Sequence, residues 1–92
     1  MYKILVGEYI DDEAIGRLKE ASDVEVDIKI GISREEILKI IHEYDALIVR
    51  SVIKVDEELL SKGKKLKIVG RAGNGTDNIN IPEATNHGVI VA

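Results

Sequence analysis

Ninety-two residues are enough for one small hydrophobic core and too few for two. Hydrophobic residues at 45% with charged residues at 33% exclude a disordered chain, and a net charge of −4 with interspersed signs and only three Tyr as aromatics excludes a basic stripe or stacking platform for nucleic acid. The chain has no Cys, which excludes disulfides, thiolate chemistry and sulfur-ligated zinc. Its apolar runs stop at four or five residues, so neither a membrane partner nor a signal peptide is expected, and a cytoplasmic location is.

The first run, Lys3–Val6, reads as a strand buried on both faces. Asp11 or Asp12 then opens a helix whose apolar face is Ala14, Ile15, Leu18 and Ala21. The acidic residues Asp11, Asp12 and Glu13 complement the dipole of that helix better than they would hold a cation. Val24–Ile30 alternates strictly, which predicts a strand with one wetter face at the edge of a sheet. Ser33 and Glu36 form a capping box before a helix whose broad apolar face is Ile37, Leu38, Ile40, Ile41 and Tyr44, with His42 on its polar side. Ala46–Val49 follows as a strand, a third helix starts near Asp56, and a Lys-rich turn from Lys62 leads into a strand at Leu66–Val69. Asn80 with Glu83 imitates a capping box, Pro82 sits in the first turn, and Gly88 ends the short fourth helix beside His87. Val89–Val91 is the fifth strand. The Ile-, Lys- and Glu-rich composition without Gln resembles a thermophile bias.

Alternating strands and helices with right-handed crossovers predict an α/β fold: a flavodoxin-like, doubly wound five-stranded parallel sheet of order 2-1-3-4-5. One helix then covers one face and three cover the other. With no final covering helix, the outer sheet lies open on the first-helix side. Leu66, Ile68, Val69, Val89, Ile90 and Val91 are expected to make this region apolar towards both faces, so that a homodimer or larger assembly pairs through it.

In such a sheet, ligands bind at the carboxyl ends of the strands, around the gap between strands one and three. Gly7-Glu8, Arg50-Ser51 and Gly70-Arg71-Ala72-Gly73-Asn74-Gly75-Thr76 stand there, holding two of the four Arg in the chain. Guanidinium groups recognise carboxylate and phosphate bidentately, and a loop with Gly73 and Gly75 brings bare amides close to an anion. Together they predict a site for a small anionic molecule, with Lys54 as a possible neighbour. Spacing alone also permits a plainer reading, in which the Arg side chains are solvated and the glycines serve a turn. A receiver domain would need Asp where Arg50 stands, a flavodoxin would need a hydroxyl-rich loop at Gly7-Glu8-Tyr9-Ile10, and Gly73-x-Gly75 lacks the third Gly of a dinucleotide fingerprint. His42 and His87, far apart and without Cys, offer no metal-ligand spacing.

Asp45–Ser51, Lys54-Val55 and Leu66–Ile79 resemble the N-terminal part of the D-isomer-specific 2-hydroxyacid dehydrogenases, and within them the D-3-phosphoglycerate dehydrogenase branch, whose Gly-Arg-Ala-Gly and Arg-Ser runs they share. The resemblance continues to Gly88-Val89-Ile90-Val91. It implies that Arg50, with Ser51 beside it, contacts the phosphate end of 3-phosphoglycerate, that Arg71 is a second basic residue of that cleft, and that the amides around Asn74 and Gly75 hold the substrate carboxylate. It further implies that the NAD fingerprint and the Arg, Glu and His of the hydride chemistry lie in a separate cofactor domain. Residues 1–92 would then be a substrate-binding domain truncated near Ala92, which binds no NAD and is inactive alone. Two positions depart from the family pattern: Ile53 replaces the usual Thr, which puts a hydroxyl contact in doubt, and Asn80 replaces Asp. A stand-alone flavodoxin-like binding or interaction module, and a domain of an enzyme for an unphosphorylated hydroxy acid, remain the alternatives.

Overall fold

Each helix begins where a side-chain oxygen can accept an otherwise free backbone amide. In the computed structural model, which describes residues 1–72 and 77–92, α1 (Asp12–Glu20) is capped by Asp11, which accepts from the Ala14 amide at 2.8 Å. Ser33 caps α2 (Arg34–Ile40), Asp56 caps α3 (Glu57–Lys62) and Asn80 caps α4 (Ile81–Asn86) in the same way. A single 3-10 turn, Ile41–Glu43, extends α2 towards Tyr44. Gly88 closes α4 with a φ of +72°, a conformation that costs glycine little.

The strands β1 (Tyr2–Val6), β2 (Val24–Ile28), β3 (Ala46–Val49), β4 (Ile68–Arg71) and β5 (Ile90–Val91) form one parallel sheet in the order β2-β1-β3-β4-β5. This is the doubly wound order expected from the hydrophobic pattern. Strand register divides the sheet into two faces, because paired residues point the same way. Leu5, Leu47, Val49 and Val69 share one face with no exposure and form the core with Ile37, Ile41 and Tyr44 of the second helical segment, Leu59 and Leu60 of α3 and Ala84 of α4.

The other face is covered only by α1, which buries no residue fully. Ala14, Ile15 and Leu18 lie half-buried, and Ala21, expected on the same apolar face, is exposed at the helix end. Tyr2, Ile28, Ile68 and Ile90 stand on this face and are 55%, 36%, 39% and 63% exposed. As expected, this region is apolar towards both faces: Ile68 and Ile90 face the open side and Val69 and Val91 the core side, while Leu66 and Val89, which precede their strands, are buried in the core.

Several strand limits also differ from the sequence reading. The fourth strand, expected at Leu66–Val69, begins two residues later, because the Leu66 amide bonds back to the Gly63 carbonyl and closes α3 instead of joining the ladder. Arg71 therefore belongs to the strand itself rather than to the loop beyond it. The second strand ends at Ile28, two residues before the expected Ile30, and Gly31 then turns the chain with a φ of +82°. Val89 bonds to Ala84 at the end of α4, so the fifth strand begins at Ile90.

Candidate functional site

At the carboxyl ends of β1 and β3 the two strands lie close enough for the loops that follow them to interlock. The Gly7 amide donates to the Ile48 carbonyl at 3.1 Å, and an added Cβ at Gly7 would lie 2.5 Å from Ile53 Cδ1. A larger residue at Gly7 would make the terminal methyl of Ile53 move aside. The next residue, Glu8, directs its carboxylate into the loop that follows β3. One oxygen accepts from the amides of Arg50 at 2.8 Å and Ile53 at 3.0 Å, and the other from Val52 at 2.9 Å and Ser51 at 3.3 Å. Partial burial pushes the Glu8 carboxyl upward, but the amides of Ile53, Arg50, Val52 and Ser51 outweigh it and hold the group below its ordinary value.

Asn78 ties the same loop to the end of β4. Its Nδ2 donates to the carbonyls of Arg50 at 3.1 Å and Ile53 at 2.8 Å, while its Oδ1 accepts from Arg71 Nε at 3.2 Å. The backbone reinforces the tie through a parallel bridge between Val55 and Ile79. Because Val49 pairs with Arg71 across the sheet, Arg50 leaves β3 directly beside the strand end that carries Arg71. The two guanidinium-bearing positions are thus held on neighbouring strand ends by one carboxamide. Arg50 and Ser51 are exposed and Arg71 is half-buried, and the Arg50 guanidinium makes no hydrogen bond or ion pair among the described residues.

This arrangement suits an anion. The charge of Glu8 is taken up by backbone amides, Arg71 keeps its terminal nitrogens beyond the Nε used by Asn78, and Arg50 has its side chain free to turn. Asn74 and Gly75, expected to supply further amides, lie outside the described residues. The side chain of Ile53 packs over Gly7 and against the core, so a hydroxyl at that position would face the strand end, and the residue contributes its amide to Glu8 instead. Asn80 caps α4 as expected.

Lys54 is exposed and lines a groove of about 270 Å³ with Ile32, Arg34, Val52, Ile53 and Asp56. Its carbonyl accepts from Arg34, whose Nη2 also reaches Asp56 at 2.7 and 2.8 Å and Glu58 at 3.2 Å. Burial raises the Asp56 carboxyl, yet the bond from Arg34 and the Leu59 amide bring it below its ordinary value. His42 is exposed on α2, and His87 lies 4.0 Å from Glu83 at the end of α4. No cluster of three metal-ligating side chains occurs among the described residues, and none of their helices is long and apolar enough to cross a membrane.

Sequence reasoning put Arg50 just beyond β3, where it stands, and Arg71 in the loop beyond β4, whereas it is the last residue of that strand; it gave no role to Glu8, Asn78 or Arg34. Glu8 carried a signal, since a carboxylate at the end of the first strand stands at the topological switch point. Asn78 carried none, because its three bonds span 7, 25 and 28 residues of chain.

Residues 4–92 match the family model described as D-isomer specific 2-hydroxyacid dehydrogenase, catalytic domain. A D-3-phosphoglycerate dehydrogenase of Synechocystis sp. is 47% identical over 91 residues, covering 99% of this chain and 16% of that protein. A solved structure of a protein from Pyrococcus horikoshii OT3 superposes with a TM-score of 0.91 at 32% identity, over 99% of this chain and 27% of that one. The cofactor (NAD+) bound 3-phosphoglycerate dehydrogenase of Entamoeba histolytica gives a TM-score of 0.84 at 32% identity, over 98% of this chain and 32% of that one. The chain therefore spans about a sixth of the length of curated relatives it matches.

Proposed function

Because the chain belongs to the D-isomer-specific 2-hydroxyacid dehydrogenases, we propose that it is the substrate-binding domain of an NAD-dependent D-3-phosphoglycerate dehydrogenase. The parent enzyme would oxidise the 2-hydroxyl of 3-phosphoglycerate to 3-phosphohydroxypyruvate, in serine biosynthesis. The observation that carries this reading is the pair Arg50 and Arg71, held on adjacent strand ends through Asn78. Two guanidinium groups carried by adjacent strand ends would match a phosphate better than a single hydroxyl or methyl.

In this reading Arg50 and Arg71 hold the phosphate, Ser51 lies beside it, and the backbone around Asn74 and Gly75 receives the carboxylate. The described residues do not fit a dinucleotide: the turn after β1 carries Glu8, whose charge and amide bonds occupy the place where a pyrophosphate would need glycine amides. NAD, which accepts the hydride, would therefore be held by a further domain of the parent enzyme. Residues 1–92 alone would bind no NAD and carry out no turnover.

The test is Arg50→Ala in the full-length enzyme, with 3-phosphoglycerate compared against an unphosphorylated 2-hydroxy acid. Loss of a charge-assisted bond worth ~1.5–3 kcal/mol should weaken the phosphorylated substrate roughly ten- to a hundred-fold and leave the other nearly unchanged. Equal losses would remove the phosphate assignment and favour an enzyme for an unphosphorylated hydroxy acid.

A further inference from the structure

Glu8 presents an apparent contradiction. It places a carboxylate at the strand ends where the site is expected to receive an anion, and simple repulsion would make it a poor neighbour. Its geometry resolves the conflict. Both oxygens are taken up by the backbone, where four consecutive amides, Arg50 to Ile53, converge on them at 2.8 to 3.3 Å. Four amides in a row pointing to one side form a concave anion-binding loop, and in this protein its occupant is built into the chain. The loop carries both Arg50 and Ser51, and its carbonyls are fixed from the other side by Asn78. Without the carboxylate these amides would turn to water, and the segment between β3 and the Val55 bridge would lose the contacts that set its shape.

We propose that Glu8 is a positioning residue for anion recognition: its carboxylate shapes the Arg50–Ile53 loop so that Arg50 and Ser51 are presented to the phosphate of the substrate. This role rests on the reading of Arg50 as a phosphate ligand. Glu8 itself does not touch the substrate. Its effect passes through the loop, so it is expressed in substrate affinity and depends on Arg50 being present.

The experiment is a double-mutant cycle in the full-length enzyme, with Glu8→Gln, Arg50→Ala and the pair, measured as KM and kcat for 3-phosphoglycerate. Glutamine keeps the size of the side chain but turns an NH2 towards amides that need acceptors. Glu8→Gln is expected to raise KM about tenfold with kcat changed by less than about twofold, and to add nothing once Arg50 is already Ala. Glu8→Asp, one methylene short of the full set of amides, should fall between Gln and the native residue, and it serves as the second variant if Gln expresses poorly. An unchanged KM in Glu8→Gln and Glu8→Asp would overturn the proposal while leaving the Arg50 assignment intact, and so would a full effect of Glu8→Gln that persists in the Arg50→Ala background. A lower KM would show that repulsion outweighs positioning and would overturn it as well. If Arg50→Ala alone has no effect on 3-phosphoglycerate, the functional reading fails, and the Glu8 role through Arg50 fails with it.

Discussion

Asn78→Asp changes one NH2 to an oxygen and so tests the link between the two Arg-bearing strand ends with little change of shape. In the native arrangement Nδ2 donates to the Arg50 and Ile53 carbonyls, and Oδ1 accepts from Arg71. A carboxylate keeps the acceptor but faces two carbonyl oxygens with a third oxygen. Two hydrogen bonds at ~0.5–1.5 kcal/mol each are lost, or about 1–3 kcal/mol, and the charge-assisted bond to Arg71 returns ~1 kcal/mol of this. A net loss of up to about 2 kcal/mol should lower the urea midpoint and reduce Tm by as much as roughly 16 °C for a domain of this size. The charge effect separates from the stability effect through Asn78→Ala, which loses all three side-chain bonds but leaves Arg71 uncompensated. In the full-length enzyme, Asp should raise KM for 3-phosphoglycerate well above the value for Ala, although Ala is the less stable of the two. Equal KM values would refute the argument that Arg71 offers its charge to the substrate. An Asp variant more stable than the native protein would refute the reading of Asn78 as a donor to both carbonyls.

Gly7→Ala should cost no more than about 1 kcal/mol, because its Cβ meets only the terminal methyl of Ile53, and Ile53→Val, which removes that methyl, should abolish the cost; additive denaturation midpoints would disprove the contact. Glu8 and Asp56 are both held below their ordinary values near 4.5 and 3.8, so their contribution is complete above those values and is lost as pH falls through the lower folded ones. Urea midpoints should therefore drop on acidification below about pH 4, and Glu8→Gln with Asp56→Asn should flatten that drop. The isolated chain should associate through the α1 side of the sheet, where Tyr2, Ile28, Ile68 and Ile90 are exposed. Light scattering across a concentration series should show a dimer or larger species that Ile68→Lys and Ile90→Lys dissociate, and a monomer at high concentration would contradict it.

What could be read in the sequence was what depends on neighbours in the chain. Caps at Asp11, Ser33, Asp56 and Asn80 are three-residue signals, and the sheet order follows from strand periodicity and crossover handedness. The limits of the strands were less legible, because an apolar residue can be buried without pairing. Leu66 looks like the start of a strand by composition, yet its side chain fills the core while its amide closes the preceding helix. Hydrophobicity shows that the outer strands are apolar on both faces, but only register shows which residue takes which side, Ile68 and Ile90 the open one and Val69 and Val91 the core.

The site was legible in its charges and hidden in its supports. Arg50 and Arg71 were visible because the topology brings strand ends together and few residues recognise an anion as guanidinium does. Glu8 stands at the same strand ends but was given no role. Its bonds to Arg50–Ile53 cross 42 to 45 residues and go to backbone amides, which have no letter in the sequence. A loop that leaves a buried strand with four amides and no helix to receive them nevertheless needs an acceptor. In a parallel sheet that acceptor can come from the end of the neighbouring strand, and after β1 the chain offers Glu8 at that point. Counting the amides a strand-end loop must satisfy, and then looking for a carboxylate or carboxamide on the adjacent strand end, would have pointed to Glu8.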